Sequence, residues 1–404
     1  MVHQNFPGQY PHLAKALLAR GDQVVAIGGP TAREVPGVQL HRYNPVPPSG
    51  VPACHPWAAD LQTKCLRGDA VARLLEQLVP AGLAPDLVLG HPGWGDLLAV
   101  KDLLPGVPVL HQMEFVYQLR GADLGFDPEL KAPDWEAYTR LRIRRAVQLM
   151  AFHELDWGVS PTEWQASTAP PEFRDRLSVI HEGIDTAWIA PRDGSRIDLQ
   201  KAGLRFEPGD EVVSFVARNL EPYRGFHVFM RMLPRLLALR PHAHVLIVGG
   251  EERSYCDLPP GGGSWKQALL RQLEGQLDFQ RIHFVGRVPH PVLHDLFRVA
   301  ACHVYLTYPF VLSWSLLEAM ACGAVVIGSA TAPVEEVIRH GRNGLLVDFF
   351  DGEGLAERIA AVLADPAAYR PLGQQGRADV VAGYDLRTVC LPQWLELVDR
   401  WAGS

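Results

Sequence analysis

Short β-branched runs alternate with helical apolar patterns along almost the whole chain, and few folds accept that alternation. Strands separated by crossover helices build parallel sheets with helices on both faces. In the first half the strand candidates are Met1–Gln4, Gln23–Ile27, Leu87–Gly90, Val107–His111, Trp157–Ser160 and Ser178–His181. In the second half they are Glu211–Val216, His244–Val248, Ile282–Val285, His303–Leu306, Ala324–Ile327 and Leu345–Val347. Each set of about six suffices for one doubly wound sheet. A chain of 404 residues has room for two such domains.

The division is expected near Pro191–Ile197, because Ala190–Ser195 is rich in turn formers and lacks apolar periodicity. This gives domains over residues 1–190 and 191–384. The tail, 385–404, carries an amphipathic helix pattern with Trp394 and Trp401, expected to pack back across the domains. The Pro-rich stretch Tyr43–Pro56 reads as a loop.

Composition removes several function classes. A net charge of −7 argues against general nucleic-acid binding. No apolar run reaches the roughly 18–20 residues of a membrane span, and Met1 is not followed by a leader pattern, so a cytoplasmic location is expected. The six cysteines form no CxxC pair and read as free thiols, with no metal expected.

The stretch Pro309–Gly344 carries the chemistry. The strand His303–Leu306 leads through a loop into a helix beginning near Ser315, with Glu318 one turn inside. A helix N-terminus offers unpaired N–H groups and partial positive charge, which suit phosphate. A carboxylate there can accept hydrogen bonds from ribose hydroxyls. On this reading Glu318 holds ribose, and Leu312, Ser313, Trp314 and Ser315 form a phosphate or sugar cradle. On periodicity alone the plainer reading is the stronger: Glu318 as an acidic residue placed favourably in the helix dipole. After Cys322 and a Gly323 cap come the buried strand Ala324–Ile327, then Glu336–Ile338 and Gly341–Val347.

This succession resembles glycosyltransferase family 4, whose second domain carries Glu-x7-Glu, Ala-Met-Ala-Cys-Gly, Pro-Glu-Val-Ile and Gly-x-x-Gly-x-Leu-Val in this order. The resemblance implies a GT-B fold, an α/β architecture of two Rossmann-like doubly wound parallel-sheet domains facing a central cleft. It also implies transfer of a sugar from a nucleotide-sugar donor with retention of configuration. The first Glu of the pair falls on Phe310, and Val311 replaces a family glycine. Phe310 and Trp314 then suggest an apolar lip suited to a less polar sugar face, such as that of a deoxysugar.

Arg218 and Arg224 flank a short turn after the strand Glu211–Val216. Guanidinium groups grip phosphate bidentately and keep their charge. The resemblance gives these two residues the donor diphosphate, and Arg287 and Val288 the nucleotide base. It places the loop of Gln4, Phe6 and Gly8 over the reaction centre, with Gly8 allowing close backbone approach to a ligand. It also places His111 beside the donor sugar. Glu114 is a candidate base or acceptor-orienting group. His91, Trp94 and Tyr117 are candidates for lining the acceptor side. Glu182 and Gly183 match hinge landmarks of the family.

With no Asp-x-Asp in the chain, the two arginines are expected to serve where other transferases use a divalent ion. No cofactor is expected. The acceptor is left open among carbohydrate, lipid-linked, protein and small-molecule hydroxyls. Arg140, Arg142, Arg144 and Arg145 read either as a solvated helix face or as a peripheral membrane contact. Two other classes stay open: a same-fold epimerase, hydrolase or phosphorylase, and a non-catalytic sugar-nucleotide binder.

Overall fold

The computed structural model describes residues 1–47, 54–200 and 203–403, so the middle of the loop expected at Tyr43–Pro56 lies outside the described residues. Two compact units are present. One comprises Met1–Gly183 with Leu386–Ser404, the other Ile184–Asp385. The boundary thus falls at Gly183/Ile184 rather than at 190/191, and the chain returns to the first unit after Asp385.

In the first unit the strands are β1 (Val25–Gly28), β2 (Gln39–Arg42), β3 (Val88–Gly90), β4 (Val109–Gln112), β5 (Trp157–Ser160) and β6 (Leu177–Val179). The segment expected as the strand Met1–Gln4 pairs only through Val2, which bridges Ile27 on one side and Gly90 on the other. The parallel order is therefore β2, β1, Val2, β3, β4, β5, β6. The order reverses beside Val2, so ligand-binding loops are expected at the ends of Val2 and β3. β2 escaped the sequence reading because Gln39–Arg42 is a partly exposed edge with one apolar residue.

The tail helix, Leu391–Ala402, belongs to the first unit. Its Trp394, Leu397 and Val398 are buried with Tyr10, Leu13 and Leu17 of the helix Pro11–Arg20 and its entry turn. The Trp394 indole also donates to the His181 carbonyl at 3.2 Å. Burying a side chain of this kind contributes about 1.5–3 kcal/mol, which holds the helix in place.

The second unit opens with an antiparallel hairpin, β7 (Ile197–Leu199) and β8 (Leu204–Phe206), which the sequence reading did not separate from the linker. Its main strands are β9 (Val212–Asn219), β10 (His244–Gly250), β11 (Ile282–Gly286), β12 (Cys302–Tyr305), β13 (Val326–Ser329) and β14 (Leu345–Val347). They form one parallel sheet in the order β11, β10, β9, β12, β13, β14. The switch point lies between β9 and β12. Leu316, Leu317 and Met320 on the helix Trp314–Ala321 are fully buried against the sheet, which makes that helix a fixed platform.

Among the described residues, no helix is long and apolar enough to cross a membrane.

Candidate functional site

In the second unit, the turn after β9 and the loop after β12 meet at the switch point. Arg224 closes a 3-10 turn, Pro222–Arg224, and Gly225 follows with φ +67. A Cβ at Gly225 would stand 2.4 Å from Leu306 Cβ, so only glycine lets the turn lie this close to the loop after β12. Arg224 Nη1 donates to Thr307 Oγ1 at 2.7 Å, the Val311 carbonyl at 3.1 Å and Tyr305 Oη at 3.3 Å. The loop is tied in turn to β13, where Ser329 Oγ accepts from the Thr307 amide at 3.1 Å. Arg218, near the end of β9, is exposed and has no side-chain partner among the described residues. One guanidinium is therefore fixed and one is available, both at strand ends that bind ligands in such sheets.

Ser313 caps the helix Trp314–Ala321. Its own amide donates to Tyr305 Oη at 2.8 Å, and Ser313 Oγ accepts from the Ser315 amide at 3.4 Å. Two amides expected to cradle phosphate are thus engaged within the protein. The long Ser315 contact is the weaker of the two. Glu318 is 6% exposed, and its carboxylate has no hydrogen-bond partner among the described residues. Ring nitrogens of His290 and His294 stand 4.0 and 3.9 Å from its Oε1.

Phe310 does not form an apolar lip. It is 4% exposed and packs edge-on against Tyr223, with ring centroids 5.4 Å apart, and against Tyr255 at 4.9 Å. Leu312 is likewise buried in the core, while Trp314, 37% exposed, is the aromatic that reaches the surface. The position of the missing first carboxylate is filled by core packing, which removes the basis for the deoxysugar preference.

Sequence reasoning passed over Glu221. Its buried carboxylate accepts from the amides of Ser254, Tyr255 and Cys256, at 3.4, 3.1 and 3.1 Å to Oε2, and so holds the segment after β10. Arg287 donates to Asn219 Oδ1 at 2.9 Å and to Glu252, joining the ends of β11, β9 and β10. Val288 packs against the apolar cluster of Leu296 and Val299.

In the first unit, a second group forms at the ends of Val2, β3 and β4. His91 Nε2 stands 3.4 Å from Glu114 Oε2, and Gln9 Nε2 donates to Glu114 Oε1 at 3.5 Å. The His3 ring lies edge-on to His91 at 5.9 Å. Burial alone would raise the Glu114 pKa, but His91, Gln9 and His3 together hold it below the ordinary value. Burial holds His3 near 3, hence neutral. Around this group, Trp94 carries the Arg67 guanidinium 6.0 Å above its ring, and Tyr117 carries that of Arg144 at 5.4 Å.

Three expectations for this unit change. Gly8 approaches the His3 ring, which a Cβ would meet at 2.6 Å, so its freedom serves internal packing rather than ligand contact. Phe6 is fully buried in the cluster of Ala26, Ala32 and Val35. The backbone amide of Gln4 serves the buried Asp96 carboxylate, which also accepts from Tyr43, so the start of this loop is held from within the unit. His111 lies within β4 and lines a small cavity of about 120 Å³ with Lys101, Met150 and Glu154, not with Glu114. Burial drives its pKa down to about 3, so it is a neutral interior imidazole.

Gly183, with φ +90, meets Leu386 where the chain re-enters the first unit, and Glu182 accepts from Gln112 at 3.0 Å. The arginine cluster is split. Arg140 pairs with Glu136 and Arg144 with Asp60, Arg142 is exposed, and Arg145 is partly buried.

Two doubly wound parallel-sheet units, the second with arginines and a helix-borne carboxylate at its switch point, define the GT-B class of glycosyltransferase folds. Residues 20–189 match the model of the glycosyl transferase family 4 group, and residues 197–379 that of glycosyl transferases group 1. The chain belongs to the group 1 glycosyltransferases of family 4 type. It is 27% identical over 282 residues to a D-inositol 3-phosphate glycosyltransferase of Streptomyces scabiei, covering 68% of this chain and 58% of that protein. It is 25% identical over 383 residues to the same-named protein of Thermomonospora curvata, covering 88% and 81%. The matches to the Streptomyces and Kribbella relatives span 58–60% of those proteins' length. Among solved structures, sucrose-phosphate synthase from Thermosynechococcus elongatus superposes with TM-score 0.70 at 21% identity, covering 100% of this chain and 96% of that one. Anabaena Alr3699/HepE in complex with UDP-glucose does so with TM-score 0.68 at 15% identity, covering 99% of each.

Proposed function

We propose that this chain is a retaining glycosyltransferase that moves a sugar from a UDP- or GDP-sugar to an acceptor hydroxyl during glycan or glycoconjugate assembly. The observation that carries the reading is Arg224, fixed by three acceptors at the switch point beside the helix that presents Glu318. The names of the relatives, all glycosyltransferases, support the reaction class.

Glu318 accepts from the ribose hydroxyls, and the guanidinium groups of Arg218 and Arg224 lie along the diphosphate. The acceptor oxygen attacks the anomeric carbon on the face the diphosphate leaves. The C–O bond to phosphate breaks as the new one forms, and the acceptor proton passes to a leaving phosphate oxygen. Negative charge then grows on the diphosphate, where fixed cations stabilise it most. These cations make a divalent ion unnecessary for the transfer. In the first unit, Glu114, held ionised by His91, orients the acceptor hydroxyl. The six free cysteines, four of them buried, support a reducing cytosolic setting.

The test is a panel of nucleoside diphosphates and their sugars, read first by thermal shift and then by nucleotide release. Ligand at about 100 times its Kd adds about 2.7 kcal/mol, a readily measured shift. Release of nucleoside diphosphate that depends on an added acceptor is expected. Absence of any shift across the panel overturns the reading, and a shift without acceptor-dependent release reduces the protein to a binder.

A further inference from the structure

The helix His290–Val299 packs beside the helix Trp314–Ala321. His290 and His294 stand one turn apart on the first helix and project the same way. Both reach Glu318 on the second. His290 Nδ1 is 4.0 Å from Glu318 Oε1, and His294 Nε2 is 3.9 Å from the same oxygen. All three ligand atoms lie within 4.8 Å of one another.

His294 supplies the second observation. It is 1% exposed, and its Nε2 has no hydrogen-bond partner among the described residues. The Trp188 ring covers its imidazole edge-on at 4.7 Å, while Nε2 faces Glu318. A buried imidazole nitrogen and a nearly buried carboxylate thus face each other beyond hydrogen-bond range. The His290 side chain, 69% exposed, opens the group to solvent.

We propose that His290, His294 and Glu318 form a zinc site whose occupation competes with nucleotide binding. Two imidazoles and one carboxylate, with a fourth position open, are a donor set that zinc accepts. Tetrahedral zinc with bonds of about 2.0–2.2 Å holds its ligand atoms about 3.4 Å apart. The two contacts to Glu318 must close by about half an ångström each and the two imidazole nitrogens by up to about 1.4 Å; rotation of the exposed His290 side chain moves the first imidazole, and a small rotation of the Glu318 side chain closes its contact to His294. Zinc on Glu318 Oε1 occupies the carboxylate that the proposed function assigns to ribose, so the competition rests on that reading. The zinc site itself does not. The ion takes no part in transfer; it makes donor binding sensitive to zinc.

Calorimetric titration of the full chain with zinc, and of UDP (or GDP, if the panel selects it) with and without zinc, tests both parts. Zinc binding with one-to-one stoichiometry is expected, lost in His290→Ala and His294→Asn. His290→Ala alters an exposed side chain, so it keeps the test usable if His294→Asn fails to fold. Saturating zinc should weaken nucleotide affinity at least about fivefold in the unaltered protein and leave His290→Ala unaffected. No zinc binding, or binding unchanged in His290→Ala, overturns the site. Zinc that binds through His290 without changing nucleotide affinity overturns the competition. If no nucleotide binds any variant, the donor reading falls, while the zinc titration still decides the site.

Discussion

Arg224 donates to Thr307 Oγ1 at 2.7 Å, joining the turn after β9 to the loop after β12 across the sheet's switch point. The same guanidinium nitrogen reaches the Val311 carbonyl, so one side chain orders both loops that frame the proposed diphosphate site. Arg224→Ala is expected to lower kcat about 10²–10³-fold, as loss of a fixed transition-state donor does. Arg224→Lys keeps the charge but lacks the planar fork and recovers only part of it. Steady-state kinetics at saturating donor decide this, and a change confined to KM counts against a transition-state role.

Arg218 separates binding from stability. It is exposed and has no partner among the described residues, so Arg218→Ala should change stability by less than about 0.5 kcal/mol. Donor kcat/KM should nevertheless fall about tenfold or more. Urea denaturation and donor kinetics on the same variant provide the comparison, and unchanged kinetics would remove Arg218 from the site.

Glu221 acts on stability first. Its carboxylate serves three backbone amides of residues 254–256, and truncation leaves them without an acceptor. Glu221→Ala is expected to cost about 1–3 kcal/mol and to speed protease cleavage near Tyr255. Glu221→Gln, which keeps one carbonyl acceptor, should lose less. Equal stability of all three proteins would show that the contact contributes nothing.

Acid should destabilise both units through imidazoles buried in their neutral form. Burial lowers His3 and His111 to about 3 and His181 to about 4 in the first unit, and in the second it lowers His303 to about 3 and also lowers His244 and His283. Between these values and about 6.5 the unfolded chain binds more protons than the folded one, so stability falls as pH drops through that window. Each group contributes up to about 1.4 kcal/mol per pH unit there. Denaturation followed by intrinsic tryptophan fluorescence should show a midpoint that falls from about pH 6.5 downward. A midpoint independent of pH over that range refutes the burial of neutral imidazoles.

Much of the second unit was legible in the chain. All six of its main parallel strands fall on apolar runs of the sequence, because strands buried on both faces must be continuously apolar. The helix of Glu318 and its Gly323 terminus, with φ +80, are equally local features. Edges and hairpins were missed where the residues are polar, as at Gln39–Arg42.

The sequence by itself therefore determined the α/β class, the two parallel sheets, the strand end and turn that carry Arg218 and Arg224, and the helix that carries Glu318. These depend on periodicity and capping, which act within a few residues. Only the tertiary structure decided which residues of those loops are interior and which are exposed. Phe310, Phe6 and His111 are interior, Glu221 and Tyr305 organise the second unit's loops, and His91 meets Glu114 across neighbouring strands. It also placed the tail helix on the first unit, against residues almost the whole chain away. Such contacts depend on strand order and close packing between distant segments, and neither leaves a periodic trace in the residues themselves.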